Sequence, residues 1–382
     1  MTLPLVSPRD LGIDASRWRS AVSLASQLCD DDRVPAVCWQ VVGAAGATEP
    51  VACGRTVINS PVPSTAPLPS DAIFLTASLS KPIVAMAAQR LVEDGTLSLQ
   101  DRVINYLPEF DAAPKRPITI RHLLTHTSGL PDMLPNNRIL RQSQAGLDRF
   151  ISGTCGVTLD FPCGRGMQYQ SMGFALLGEI ITRVSGVSCA EFLKQELFAP
   201  LGMSDTALGA PEEWFTAASP HISRLAEVRV PEEQQGGDDW NWNSRYWRTL
   251  GAPWGGVLST VSDLARFLRM MLRRGAIDGG RLFAPGTVSA ATTNQLEPLH
   301  DLPEADRRTR PWGYGWRLNW TGHSATFGDL LPPDTYGHWG ATGTVWWVDP
   351  TRELGLVLLS TEPLSRERND LLRLSNAIAA AM

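Results

Sequence analysis

Lysine is nearly missing from this 382-residue chain: Lys81, Lys115 and Lys194 are the only ones, set against many arginines. A basic surplus is missing too. The net charge is -5 and the isoelectric point is near 5.7, so no positive stripe exists to neutralise phosphates, which excludes a nucleic-acid partner. No apolar run approaches the ~20 residues that span a bilayer. The start, Met1-Thr2-Leu3-Pro4-Leu5-Val6, has no basic residue and too short an apolar stretch for a secretory signal. The cysteines, at 29, 38, 53, 155, 163 and 189, form no C-x-x-C pair and no metal-ligand rhythm. They predict reduced, buried thiols in a cytoplasmic protein. There is no G-x-S-x-G elbow, which argues against an α/β-hydrolase, and no Gly-rich phosphate loop. No metal and no cofactor is implied, and the expected partner is a small molecule.

What is present is an ordinary globular composition, 43% hydrophobic and 19% charged, in a chain long enough for two lobes. Residues 14–29 read as an amphipathic helix opened by Asp14 or Ser16, followed by strands near 34–42 and 51–57. Helical patterns dominate the middle: 118–125, 173–184, 188–198, and 263–272 with Ser262 as its expected cap. Strands return at 344–348 and 354–360 around the hairpin signature Asp349-Pro350-Thr351-Arg352-Glu353. A helix over 366–380 closes the chain. The economical architecture is an α+β (α/β) fold: an antiparallel sheet built from both chain ends and flanked by helices, with a large, mainly helical insertion. The expected division is an α/β part at 1–75, a helical part with active-site loops at 76–304, and the second α/β part at 305–382.

The chemistry begins at Ser78-Leu79-Ser80-Lys81. A serine and a lysine three apart on a helix share one face. A neutral amine can take the serine proton, but a lysine of pKa ~10.4 must be depressed by roughly 2–3 units to be neutral near pH 7. Burial supplies such a shift. Ala72-Ile73-Phe74-Leu75 reads as a buried approach, and Ile83, Val84, Ala87, Leu91 and Val92 repeat at helical spacing up to Gly95. Pro82 is tolerated only in a first turn, which puts Ser78 and Lys81 at the helix start. Tyr169 is the second element, in a loop that ends at a helix, where a phenol near an ammonium can shuttle a proton. The third is His338-Trp339-Gly340-Ala341 before the last strands. Glycine there allows close approach of a ligand, and a backbone N–H from that edge can form half of an oxyanion hole.

Serine-lysine, tyrosine and a glycine-containing strand motif in this order resemble the serine β-lactamase and penicillin-binding-protein superfamily. The resemblance runs from about residue 20 to 360. It takes in Ser78-Leu79-Ser80-Lys81-Pro82, His122-Leu123-Leu124-Thr125-His126-Thr127-Ser128-Gly129-Leu130, Leu176-Leu177-Gly178-Glu179, Pro200-Leu201-Gly202-Met203 and His338-Trp339-Gly340-Ala341-Thr342-Gly343. Within the superfamily the chain looks most like the class C branch and its family VIII carboxylesterases. The resemblance implies Ser78 as acylated nucleophile, Lys81 as base, Tyr169 as proton relay, and the N–H groups of Ser78 and Ala341 as oxyanion hole. It puts Ser171, His338, Trp339 and Gly340 against substrate.

Two departures bear on specificity. Ser171 stands where the family's Tyr-x-Asn has asparagine, and His338-Trp339 stands where Lys-Thr-Gly has a cation and a hydroxyl. A histidine of pKa ~6.5 is mostly neutral at pH 7, so an ester with an apolar acyl group is expected in preference to a carboxylate-bearing substrate. A D-amino-acid-type peptidase, a weak β-lactamase or an acyltransferase with the same residues are the alternatives. The tryptophans of 232–254 read either as a binding-site rim or as pins for a long loop. His122 and His126 lack the glutamate of H-E-x-x-H and read as structural.

Overall fold

The computed structural model describes residues 3–58, 67–319, 327–365 and 368–382. The stretch rich in Pro and Ser at 58–70 reads as a loop, and part of it lies outside the described residues. In chain order the strands are β1 Ala36–Gly43, β2 Val51–Gly54, β3 Phe74–Leu75, β4 Ala207–Leu208, β5 Val257–Ser259, β6 Ala276–Ile277, β7 Gly280–Arg281, β8 Arg317–Leu318, β9 Tyr336–Gly340, β10 Thr344–Asp349 and β11 Leu354–Ser360. The main sheet has the order β2-β1-β11-β10-β9-β8. Both chain ends meet in it, since β1 pairs antiparallel with β11 from Val37↔Ser360 to Gly43↔Leu354. The antiparallel sheet flanked by helices is the expected fold.

Every residue of β1 is buried, because both faces of the sheet are covered. On one face Trp39, Val41, Trp347 and Leu358 pack with Ala21, Ala25 and Leu28 of the helix Ala15–Asp30 and Leu374 and Ile378 of the helix Asp370–Ala379. On the other, Trp346 stacks on Phe267 of the helix Val261–Leu272 and on Trp316, at 5.4 and 5.5 Å between centroids. Each such pair contributes about 0.5–1.5 kcal/mol beyond area burial.

Helix boundaries differ from expectation where side chains compete for the cap. Asp14, as expected, accepts from Arg17 N at 2.7 Å. The cap of Val261–Leu272 is Thr260, not Ser262: Thr260 is extended, with φ -99 and ψ 163, and its side chain accepts from Asp263 N. Only a residue outside the helix can turn its hydroxyl back onto the first free N–H groups. The helix expected over 188–198 starts at Cys189, widens into a π turn over Lys194–Phe198 and runs on through Ala199–Leu201, ending at Gly202 with φ 71. The cysteines are all unpaired.

Beside the sheet, Met172–Ser185 and Ser80–Glu93 pack together in the other half of the molecule, joined to the small sheet β3-β5-β4. Among the described residues, no single helix is long and apolar enough to cross a membrane.

Candidate active site

Ser78 sits in a 3-10 turn, Ala77–Leu79, that leads directly into the helix Ser80–Glu93. The residue before it, Ala77, is forced to φ +47, a region an alanine adopts only at a cost. The preceding segment explains how that is held. Thr342 Oγ1 donates to Leu75 O and Thr344 Oγ1 to Thr76 O, both at 2.7 Å, while Thr76 N and Oγ1 both donate to Val257 O. The turn between β9 and β10 is thereby fastened to the chain just ahead of Ser78, and that turn carries Ala341. Gly340 is needed for the same approach: a Cβ there would lie 2.2 Å from Thr344 Oγ1 and 2.4 Å from Thr76 O. Its smallness accommodates the protein's own backbone, a correction to the expectation that it makes room for a ligand.

Lys81 is fully buried. Its Nζ donates to Ser78 Oγ at 2.9 Å and to Trp254 O at 2.8 Å, and lies 4.7 Å from the centre of the Tyr169 ring. Burial lowers its pKa to about 7, against a smaller opposing pull from the Asp132 carboxylate. Near neutral pH a large share of the amine is therefore unprotonated. The Ser78 side chain is near enough to the Tyr169 phenol to lower its pKa, against the larger effect of burial. Burial pushes the Tyr169 pKa up, so this group remains a phenol and can both give and receive a proton.

Tyr169 is placed by residues that sequence reasoning assigned to structure alone. His126 O accepts from Gln168 N at 3.0 Å, and His126 Nδ1 accepts from Gln170 N at 3.1 Å. One residue thus holds the backbone on both sides of the tyrosine. His126 itself sits at φ +59 and is fully buried. Ser128 Oγ donates to Gln170 Oε1 at 2.5 Å, and Asp132 O accepts from Ser171 N and Met172 N. The block 126–132 is a cradle for Tyr169. His122 is turned elsewhere, with Nδ1 accepting from Thr119 N at 3.1 Å as a helix cap. Among the described residues no group of His, Cys, Asp and Glu could hold a metal ion.

His338 is wholly buried. Its ring lies 5.9 Å from Tyr169 and 5.7 Å from Trp312, and burial, then the nearby Lys81, hold its pKa well below the usual imidazole value. It is neutral, as expected, but it faces Tyr169 from within the protein, and this corrects the expectation that it contacts substrate. Trp339 does reach the cleft and stacks on Tyr169 at 6.4 Å and 15°. Arg317 of β8, opposite Gly337 in the sheet, places a positive charge that is felt by Tyr169, His126 and His338. It was not foreseen, because strand pairing and not sequence spacing brings it here.

The cleft in front of Ser78 has a volume of about 370 Å³. Ser78, Tyr169, Ser171, Trp339 and Ala341 line it, joined by Met133, Trp240, Trp242, Trp247 and Trp254. The tryptophans of 240–254 are therefore both readings at once: Trp240, Trp247 and Trp254 are buried, and they still wall the cleft.

Residues 41–380 match the Beta-lactamase family. A curated relative, penicillin-binding protein 4 of Amycolatopsis lactamdurans, is 33% identical over 72% of this chain and 67% of its own length. A solved penicillin-binding protein homologue from Caulobacter crescentus is 22% identical, covers 97% of this chain and 99% of its own, and superposes with a TM-score of 0.76. A solved family VIII carboxylesterase is 19% identical over 97% and 99%, with a TM-score of 0.75. With the matched segment taking in the serine-lysine pair, the tyrosine and the closing strands, the chain belongs to the Beta-lactamase family and is a serine hydrolase of that fold.

Proposed function

We propose that this protein is a serine carboxylesterase acting through an acyl-enzyme on Ser78. Neutral Lys81 takes the Ser78 proton as Oγ attacks the ester carbonyl. The oxyanion is met by the N–H groups of Ser78 and Ala341, and Tyr169 gives its proton to the departing alcohol while taking the one that Lys81 received from Ser78. Water then cleaves the acyl-enzyme with the same groups in reverse roles.

The preference for esters rests on the cleft wall. Trp242, Trp254, Trp339 and Met133 offer apolar surface to an acyl group, and the buried, neutral His338 gives no cation to a carboxylate at the motif where the family has lysine. Likeness to a family VIII carboxylesterase supports the same reading. The unpaired cysteines support a reducing, cytoplasmic setting. A peptidase or β-lactamase reading is favoured by the charge of Arg317 near Tyr169 and by the 33% identity to a penicillin-binding protein.

A panel of p-nitrophenyl esters beside nitrocefin and D-Ala-D-Ala peptides separates the two. Short esters are expected to exceed nitrocefin in kcat/KM by at least ~10²-fold, about 2.7 kcal/mol in transition-state binding. Equal or better turnover of nitrocefin or the peptides replaces the esterase reading with the second one.

A further inference from the structure

Where the family's tyrosine motif carries an asparagine, this chain builds a two-residue substitute. Asp132 Oδ1 accepts from Ser171 N at 2.9 Å and from Ser171 Oγ at 2.7 Å. With Ser171 N and Met172 N also bound to Asp132 O, the aspartate is fixed against the start of the helix Met172–Ser185 and cannot swing away. Both residues line the cleft that holds Ser78. The Asp132 side chain has no ion-pair partner and no further hydrogen bond among the described residues, although its charge is felt by Lys81 and Tyr169. An amide in this place could offer a donor or an acceptor. A carboxylate offers only acceptors and a negative charge.

Among the described residues, no other charge of the cleft makes an ion pair with it. Arg141 is committed elsewhere: Nη2 donates to Gln234 Oε1 and Trp240 O, and its guanidinium packs on Trp247 at 4.2 Å. Arg138 lies over Trp240 at 5.9 Å. Glu233, the other carboxylate of the lining, acts on Arg141. That leaves Asp132 unpaired in a cleft whose walls include the indoles of Trp242, Trp254 and Trp339. Aromatic faces around a carboxylate attract an organic cation, through the ring quadrupole and through the charge.

We propose that the unpaired Asp132 carboxylate, locked by Ser171 and set among tryptophans, selects esters that carry an ammonium group. This deepens the esterase reading and rests on it for the reaction, but the binding step does not depend on turnover. The ammonium could belong to the acyl part or to the alcohol part, and the two are separable by probe.

The test uses permanently charged probes, so that substrate titration plays no part, at pH 8.5, where Lys81 is already neutral. Acetylthiocholine is compared with its neutral isostere 3,3-dimethylbutyl thioacetate for the alcohol side, and p-nitrophenyl 4-(trimethylammonio)butanoate with p-nitrophenyl 5,5-dimethylhexanoate for the acyl side. One of the two cationic esters is expected to exceed its neutral partner by about tenfold or more in kcat/KM, and Asp132→Asn, which keeps an oxygen for Ser171, to bring that ratio within about threefold of unity. Ratios near unity in the wild type, or a preference that survives Asp132→Asn, overturn the proposal while leaving the esterase reading intact. If neither member of a pair is hydrolysed, the esterase reading fails, and binding decides the rest. In Ser78→Ala, tryptophan fluorescence titrated with choline is expected to saturate, with an affinity about tenfold weaker after Asp132→Asn. No saturable binding, or binding unchanged by Asp132→Asn, overturns the ammonium site on its own.

Discussion

The His126 ring lies 4.8 Å from that of Tyr169, and His126 also bonds the backbone on either side of the tyrosine, through O to Gln168 N and through Nδ1 to Gln170 N. Asparagine tolerates the left-handed backbone of this position and carries an oxygen near the place of Nδ1. His126→Asn is therefore expected to keep kcat within about threefold, and His126→Leu, which leaves Gln170 N–H unpaired, to lose about 10- to 100-fold with little change in KM. In a Tyr169→Phe background the same His126→Leu change should cost far less. An equal loss in both backgrounds would mean that His126 serves stability and not the tyrosine.

The depressed Lys81 pKa sets the pH dependence. Protonated below about 7, Lys81 is not a base there, so kcat/KM on a neutral ester should fall about tenfold per pH unit below that point and level off above it. Asp132 raises the Lys81 pKa, so Asp132→Asn should move this limb to lower pH. The sign for stability follows from the same group. Its folded pKa, about 7, lies below the ordinary lysine value of 10.5, so the unfolded chain binds more protons between those values and stability rises with pH across that window. Urea titrations at pH 7 and 9 compared with Lys81→Met isolate this contribution, and a limb that stays put in Asp132→Asn would contradict the coupling.

Lys81 Nζ donates to Ser78 Oγ and lies 4.7 Å from the centre of the Tyr169 ring. Lys81→Ala and Tyr169→Phe are each expected to cost about 10²- to 10⁴-fold in kcat, and the double variant far less than the product. Fully multiplicative losses would show that the two groups do not act as a unit.

Thr344→Val removes the bond to Thr76 O while keeping the side-chain shape. The expected cost is about 0.5–1.5 kcal/mol in unfolding free energy, since Thr76 O keeps only its 3.3 Å bond from Leu79 N. A fall in kcat should accompany it, because the turn bearing Ala341 loses a tie to the Ser78 segment. Normal kcat with lowered stability would separate the tie from catalysis.

The sheet was legible because strands with period-two or wholly apolar patterns occupy both chain ends, and Ser78, Lys81 and Tyr169 because each belongs to a spaced motif. Thr344 carried no such signal, being an ordinary strand threonine until folding sets it against Thr76, and Thr342, though inside the His338–Gly343 motif, had no assigned part until folding sets it against Leu75. Asp132 was invisible for a related reason. Its partner Ser171 lies 39 residues away, and the sequence shows only a missing asparagine. His126 was read as structural from its motif, while its bonds to Gln168 and Gln170 depend on a loop fold that periodicity does not encode. His338 was placed in the right motif with the right charge state, but whether it faces substrate depends on which side of β9 meets Tyr169.

Mass spectrometry after reaction with a fluorophosphonate tests the central claim most directly. One adduct is expected, on Ser78, with labelling lost in Ser78→Ala and kcat down by about 10³-fold or more. An adduct on another serine, or near-normal ester turnover by Ser78→Ala, would contradict the assignment of Ser78 as nucleophile.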